Sequence, residues 1–377
     1  TGDGDVIQLG QVGAAQADMG EAILVGGQGS DTIAVSGATA KVVMAGDNVE
    51  LHRTASGQLL SVASLNPDQG AYDSLTMVDG DTVVIGGAGG DTIRTGSGNS
   101  IVLGDSGRVV YDASGSGKLR QVTSTGLSLG GNDDIQVGRS GATADGDKVI
   151  IGGGGSDKIQ VNSVAGTAAK QENRVSSTAN PERFVAGDNA SMQFDTAGRL
   201  TDFLTLDTDP STGGNDEIRI VMSGVRLNGS PITDVNVVAG GVGNDLIDVS
   251  GSTRSRDVIS GDNLEFHRTD GSDADATRRY QTLYAEVVNP SVGGDDQIRT
   301  GSGDKVVLGG LGDDRIETQT QTGDLDVVLG DAGSVVFDST GNGQLSQIRS
   351  ASLNAGGQDQ IVVGAGTTYV RSEEHTS

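Results

Sequence analysis

The feature that most constrains this chain is a glycine–aspartate anchor that returns along its whole length. In its long form, GG-x-G-x-D-x-I, it places Asp31 (GGQGSDTI), Asp91 (GGAGGDTI), Asp157 (GGGGSDKI), Asp245 (GGVGNDLI) and Asp314 (GGLGDDRI). A shortened form, GG-x-D-x-I or a close relative, places Asp73 (GAYDSL), Asp133 (GGNDDI), Asp216 (GGNDEI), Asp296 (GGDDQI) and Asp359 (GGQDQI). A third anchor, Gly-Asp followed by Asn, Ser or Ala, places Asp47, Asp105, Asp188, Asp262 and Asp331. The long form recurs at intervals between 60 and 88 residues, so loops must absorb insertions. A repeat of this length is the mark of a solenoid or an array, built from units that bury a core only by stacking on one another.

Between anchors lie short apolar pieces such as DTVVIGG from Asp81, DKVIIGG from Asp147 and DKVVLGG from Asp304, too short for helices and closed by glycine turns. In the stretch Val83 to Gly107, Val83, Ile93 and Ile101 are the expected core positions. Each Gly-Asp anchor is followed by two alternating runs around a Gly- or Asp-containing turn, as in RVVYDASGSGKLRQVTS, which is the hairpin pattern. Pro67, Pro210 and Pro290 come just after such hairpins, where a proline suits an exit turn and would damage a central strand.

The fold class expected is therefore all-β: a parallel β-solenoid, β-roll or β-helix, of about five degenerate repeats, each with a projecting β-hairpin. The repeats run over 1–71 (an incomplete start), 72–131, 132–214, 215–294 and 295–357, with the start of a sixth at 358–370. The closing RSEEHTS, 371–377, breaks the pattern and reads as the in-frame translation of a sequencing-adaptor oligonucleotide, so His375 carries no functional weight.

Composition narrows the chemistry. There are 62 Gly among 377 residues, no Cys and three His, which excludes thiolate metal sites and disfavours an imidazole cluster; oxygen is the ligand atom left in quantity. A net charge of −26 makes nucleic acid an unsuitable partner. No apolar run approaches the roughly 20 residues of a membrane-spanning helix. Stacked turns stand about 4.8 Å apart. Equivalent carboxylates on neighbouring turns would then repel by about 3 kcal/mol at an effective dielectric near 20.

GGAGGDTIR, GGVGNDLID and GGLGDDRIE resemble the GG-x-G-x-D-x-U-x nonapeptide of RTX, or haemolysin-type, calcium-binding repeats, and in weaker form the likeness covers most of 1–370. The resemblance implies a turn in which glycine carbonyls and aspartates hold Ca2+ at the edge of a β-roll. It implies calcium first at Asp31, Asp91, Asp157, Asp245 and Asp314, then at Asp73, Asp133, Asp216, Asp296 and Asp359. Roughly ten such ions would bring about +20 against the chain's negative charge. Tandem nonapeptides are absent, and poorer strands carry Thr82, Ser100, Lys148 or Lys305 where the pattern wants aspartate. The third-anchor aspartates, Asp47 and its equivalents, are open between a metal role and capping of the turn that launches each hairpin.

The resemblance further implies a segment of a giant secreted bacterial adhesin. Such a protein is exported through type I secretion, resides at the cell surface or outside the cell, and folds as calcium binds. The expected role is a calcium-folded spacer or adhesion module, not an enzyme, with hairpins offering lateral contacts to glycans or proteins. Two rivals stand beside it: the β-helix part of a secreted carbohydrate-active enzyme, and a metal-independent structural solenoid. His52 and His267 read as exposed hairpin residues, and Arg254, Arg256, Arg278 and Arg279 as solvated loop charge.

Overall fold

The computed structural model describes residues 3–10, 19–36, 39–139, 146–164, 182–223, 234–251, 255–268, 283–338, 344–351 and 356–372. Among these the secondary structure is strand without helix, arranged in three sheets. Sheet A and sheet B each hold eleven strands, and every neighbouring pair in them is parallel. Sheet C holds ten antiparallel strands. The chain alternates between A and B, so Thr92–Arg94 of sheet A is followed by Ser100–Leu103 of sheet B. This is the path of a parallel solenoid.

Each sheet A strand begins just after an anchor aspartate. Its second residue is the isoleucine or leucine of the motif, and these residues fall in one register column: Ile33, Leu75, Ile93, Ile135, Ile159, Ile218, Ile247, Ile298 and Ile316. All nine are 0 % exposed, packed against Met44, Val84, Val102, Ile150 and their equivalents from sheet B. Burying one such side chain stabilises by roughly 1.5–3 kcal/mol. Sheet A therefore has one apolar face inward and one polar face to solvent, the alternation seen in TIAV and DIQV.

Sheet B is different because it is covered on both faces. Ser100–Leu103, Lys148–Ile151 and Leu325–Asp331 are buried at every position. That is why the VVI and VVL runs are continuously apolar rather than alternating. One face meets sheet A; the other, carrying Val43, Val83, Ile101, Val149 and Phe184, meets sheet C.

Sheet C corrects one expectation. The hairpins Val49–Arg53 with Leu59–Ser64, Gly107–Tyr111 with Leu119–Ser124, Ala190–Phe194 with Leu200–Thr205, Leu264–Arg268 with Leu283–Val287, and Gly333–Phe337 with Leu345–Ser350 do not project. Each pairs with the next, edge to edge, through contacts such as Val62 with Val109 and Phe203 with Phe266. The physical reason is their one-sided apolar pattern. Val62, Val109, Val122, Met192, Phe203, Phe266, Ala285 and Val335 share one row, all buried against sheet B. A projecting hairpin would leave that row in water, and an isolated hairpin is marginally stable at best.

The prolines behave as expected: Pro67, Pro210 and Pro290 lie in turns after hairpins. Asn66 and Asn289, each preceding a proline, adopt positive φ of 53° and 52°.

Candidate functional site: a column of stacked aspartates

The ten anchor aspartates proposed as metal ligands come together in one line. The backbone N–H of Asp31 donates to Oδ1 of Asp73 at 2.6 Å, that of Asp73 to Asp91 at 2.7 Å, and that of Asp91 to Asp133 at 2.6 Å. The line continues Asp133 to Asp157, Asp157 to Asp216, Asp216 to Asp245 and Asp245 to Asp296, each at 2.7 Å. It closes with Asp296 to Asp314 at 2.9 Å and Asp314 to Asp359 at 3.1 Å. Asp5 joins at the other end, donating its N–H to Asp31 at 2.6 Å. Long and short anchors thus form one continuous stack with a single polarity: every carboxylate accepts from the turn before it.

That bond occupies one oxygen of each carboxylate. The other, Oδ2, is buried and without a hydrogen-bond partner at Asp31, Asp73, Asp91, Asp133, Asp157, Asp216, Asp245, Asp296 and Asp314. It lies against a glycine α-carbon. A Cβ built on Gly187 would overlap Oδ2 of Asp216 and sit 2.6 Å from the carbonyl oxygen of Gly240; one on Gly46 would overlap Oδ2 of Asp73 and sit 2.6 Å from the carbonyl oxygen of Gly86. Any other residue at these corners would collide with the column, so the density of glycine follows from the stacking of aspartate.

A buried anion beside like charges is held toward its protonated form. Burial, with the charge of Asp133 next in importance, pushes the Asp91 carboxyl up to about 10. Burial likewise takes Asp314 to about 9, Asp133 to about 8, and Asp73 and Asp245 to about 7. Asp157, Asp216 and Asp296 lie well above the ordinary carboxylate range, by burial first and neighbouring aspartates second. A proton on Oδ2, or a cation beside it, would neutralise such a column.

The donor chemistry suits a hard cation, since carboxylate and carbonyl oxygens are what Ca2+ takes. Among the described residues, no group of three or more His, Cys, Asp and Glu side chains converges on one point. An ion here would be completed by backbone carbonyls and water, not by a carboxylate cage.

The third-anchor aspartates form a separate set. Oδ1 and Oδ2 of Asp105 accept N–H bonds from Gly131 at 3.1 Å and Gly154 at 2.7 Å. Asp188 accepts from Gly214 and Val242, Asp262 from Gly294 and Leu311, and Asp47 from Ala88. They cap glycine turns on neighbouring coils.

A further column was not foreseen. Thr82, Ser100, Lys148 and Lys305, expected at degenerate aspartate positions, instead lie within sheet B strands and share a register column with Arg183, Asn236, Asp257 and Asp326. All eight are buried, and Lys305 Nζ pairs with Asp257 Oδ2 at 2.9 Å. The residues that cap backbone N–H groups on this side stand one position earlier. Asp81 accepts from Asn99, Asn99 from Asp147, and Asp304 from Leu325. The signal for them was the Asp or Asn that opens DTVVIGG, NSIVLGD, DKVIIGG and DKVVLGG.

His52 is exposed, and His267 is half-exposed with Nδ1 2.5 Å from Asp202 Oδ1 on the neighbouring hairpin. Arg256 lies in the sheet B strand Ser255–Ser260; Arg254, Arg278, Arg279 and His375 lie outside the described residues. No helix among the described residues is long and apolar enough to cross a membrane. Comparison with protein-family models, curated proteins and solved structures gives no match.

Proposed function

We propose that this chain is a structural solenoid segment whose aspartate column takes up cations, calcium first, as part of folding. The observation that carries this reading is the run of nine buried, unpartnered carboxylate oxygens along one edge. A column of that kind is self-repelling when ionised and gains stability from any positive charge that binds the folded chain alone. The RTX resemblance names calcium and a secreted or cell-surface setting, where the segment serves as a non-catalytic spacer or adhesion module. The solvent-facing side of sheet C would meet glycans or proteins. Calcium would be held by the Oδ2 atoms of the ten anchor aspartates with neighbouring glycine carbonyls, supplying charge neutralisation and no other chemistry.

One observation favours a second reading, a metal-independent solenoid. Every Oδ1 in the column already accepts a backbone N–H, so part of the carboxylate charge is met by the chain itself. Far-ultraviolet circular dichroism at pH 8, first in EDTA and then with millimolar calcium, separates the two. The cation reading expects the β-structure to melt at a markedly lower temperature in EDTA and to regain its stability with calcium. The same melting temperature in both supports the metal-independent solenoid.

A further inference from the structure

After a strand of sheet B the chain reaches one of two corners. At Gly86–Gly87, Gly152–Gly153, Gly240–Gly241 and Gly309–Gly310 it passes straight to the next strand of sheet A. At Gly104–Asp105, Gly187–Asp188 and Gly261–Asp262 it leaves for a hairpin of sheet C before returning to sheet A. The two corners part at the residue after their shared glycine. The direct corner has glycine there, at φ of +121° for Gly87, +123° for Gly153, +121° for Gly241 and +128° for Gly310. The branching corner has aspartate, which is not among the residues of positive φ. A positive φ folds the chain back toward sheet A and is open to glycine. Ordinary φ lets it run on into sheet C.

The aspartate does more than permit the departure. Asp105 binds the N–H of Gly131, 26 residues on, where the excursion returns, and the N–H of Gly154, at the next direct corner. Asp188 repeats this with Gly214, again 26 residues away, and Val242; Asp262 repeats it with Gly294, 32 residues away, and Leu311. We propose that the aspartate of the Gly-Asp corner is a branch-point clamp. It directs the chain into sheet C, ties the end of the hairpin excursion to its start, and holds the next corner against both.

The chemistry explains the residue. Two donors need two acceptor oxygens, which the carboxyl group of aspartate supplies. Asparagine offers one oxygen and would turn an NH2 group toward the second N–H donor. Closing an excursion costs chain entropy that rises with its length, and the paired bonds offset that cost. Because Gly131 and Gly154 stand two and three residues before Asp133 and Asp157, Asp105 is also a positioning residue for the column. The clamp itself does not depend on a cation.

Hydrogen exchange on the full chain in calcium buffer, comparing the parent with Asp105→Asn and Asp105→Ala, tests the assignment. Exchange in 126–132 and 153–156 should accelerate by about tenfold or more in Asp105→Asn and further in Asp105→Ala, as expected when one or both bonds are lost. Protection in sheets A and B from Leu246 onward and the number of terbium ions bound should not change. Unaltered exchange in both segments, equal acceleration throughout the chain, or loss of one bound ion with protection intact would each overturn it, the last by making Asp105 an ion ligand. Should neither variant fold, Asp188→Asn read over 212–216 and 241–244 decides by the same criteria.

Discussion

Asp157 and Asp216 stand 59 residues apart in the chain, yet the backbone N–H of Asp157 donates to Oδ1 of Asp216 at 2.7 Å. The neighbouring residues return the bond, with the N–H of Asn215 donating to Oγ of Ser156 at 2.9 Å. A similar reciprocal stitch joins 295–296 to 313–314, where Asp313 donates to Asp295 and Asp296 to Asp314. A dipeptide of a polar residue followed by aspartate therefore locks two coils in register whatever the length of chain between them. This explains how the solenoid tolerates unequal intervals.

The glycines that face the column should resist the smallest enlargement. Gly187→Ala places a methyl on Oδ2 of Asp216 and close to the Gly240 carbonyl. Overpacking of this kind costs about 1–3 kcal/mol. At Gly57, in a hairpin turn with φ +87°, an added methyl meets nothing within 4 Å. Gly57→Ala carries only the backbone penalty, roughly 1 kcal/mol. Urea midpoints should rank the parent above Gly57→Ala, and Gly57→Ala above Gly187→Ala.

Without divalent cations, stability should fall as pH rises. The column's folded pKa values are raised, to about 7 at Asp73 and Asp245, about 8 at Asp133 and about 9 at Asp314. A raised value means that the folded state binds protons the unfolded state has released. The contribution is complete below the unfolded value of about 3.9 and is lost as pH climbs through the folded values. Urea titrations in EDTA should give their highest midpoint near pH 4 and a continuous decline to about pH 9. Calcium should flatten that decline, because it binds the deprotonated column.

Neutralising one column residue should have opposite effects in the two media. Asp216→Asn keeps an oxygen to accept the N–H of Asp157 and removes one buried charge. In EDTA at pH 8 the variant should melt at a higher temperature than the parent. In millimolar calcium it should melt at a lower one. A decrease in both media would mean that the carboxylate is not charged in the cation-free fold.

The buried ion pair in sheet B should be sensitive to removal of one partner. Lys305→Met removes the ammonium group paired with Asp257 Oδ2 inside the A/B interior. Breaking such a pair costs about 3–5 kcal/mol. Adding Asp257→Asn should recover part of that loss, measured as the urea midpoint of single and double variants.

Much of this architecture was legible in the sequence. The anchor spacing placed ten aspartates correctly on one edge, and Val83, Ile93 and Ile101 are buried as their pattern required. Sheet C was half legible. The alternation in RVVY and SVVF announced an apolar face, but what covers that face depends on how coils stack, which no local pattern states. The clue lay in sheet B, whose unbroken apolar runs need cover on both sides. The role of Asp105 was beyond local reading because its partners, Gly131 and Gly154, meet it only in the folded chain. Lys148 and Lys305 were misplaced by one residue, enough to move a side chain from the corner to the interior.

The most direct test of the cation-stabilised column is the urea midpoint at pH 8 as a function of free calcium from micromolar to millimolar. The midpoint should climb continuously with the logarithm of calcium concentration, with a slope reporting several ions taken up on folding. A midpoint independent of calcium across that range would contradict the account.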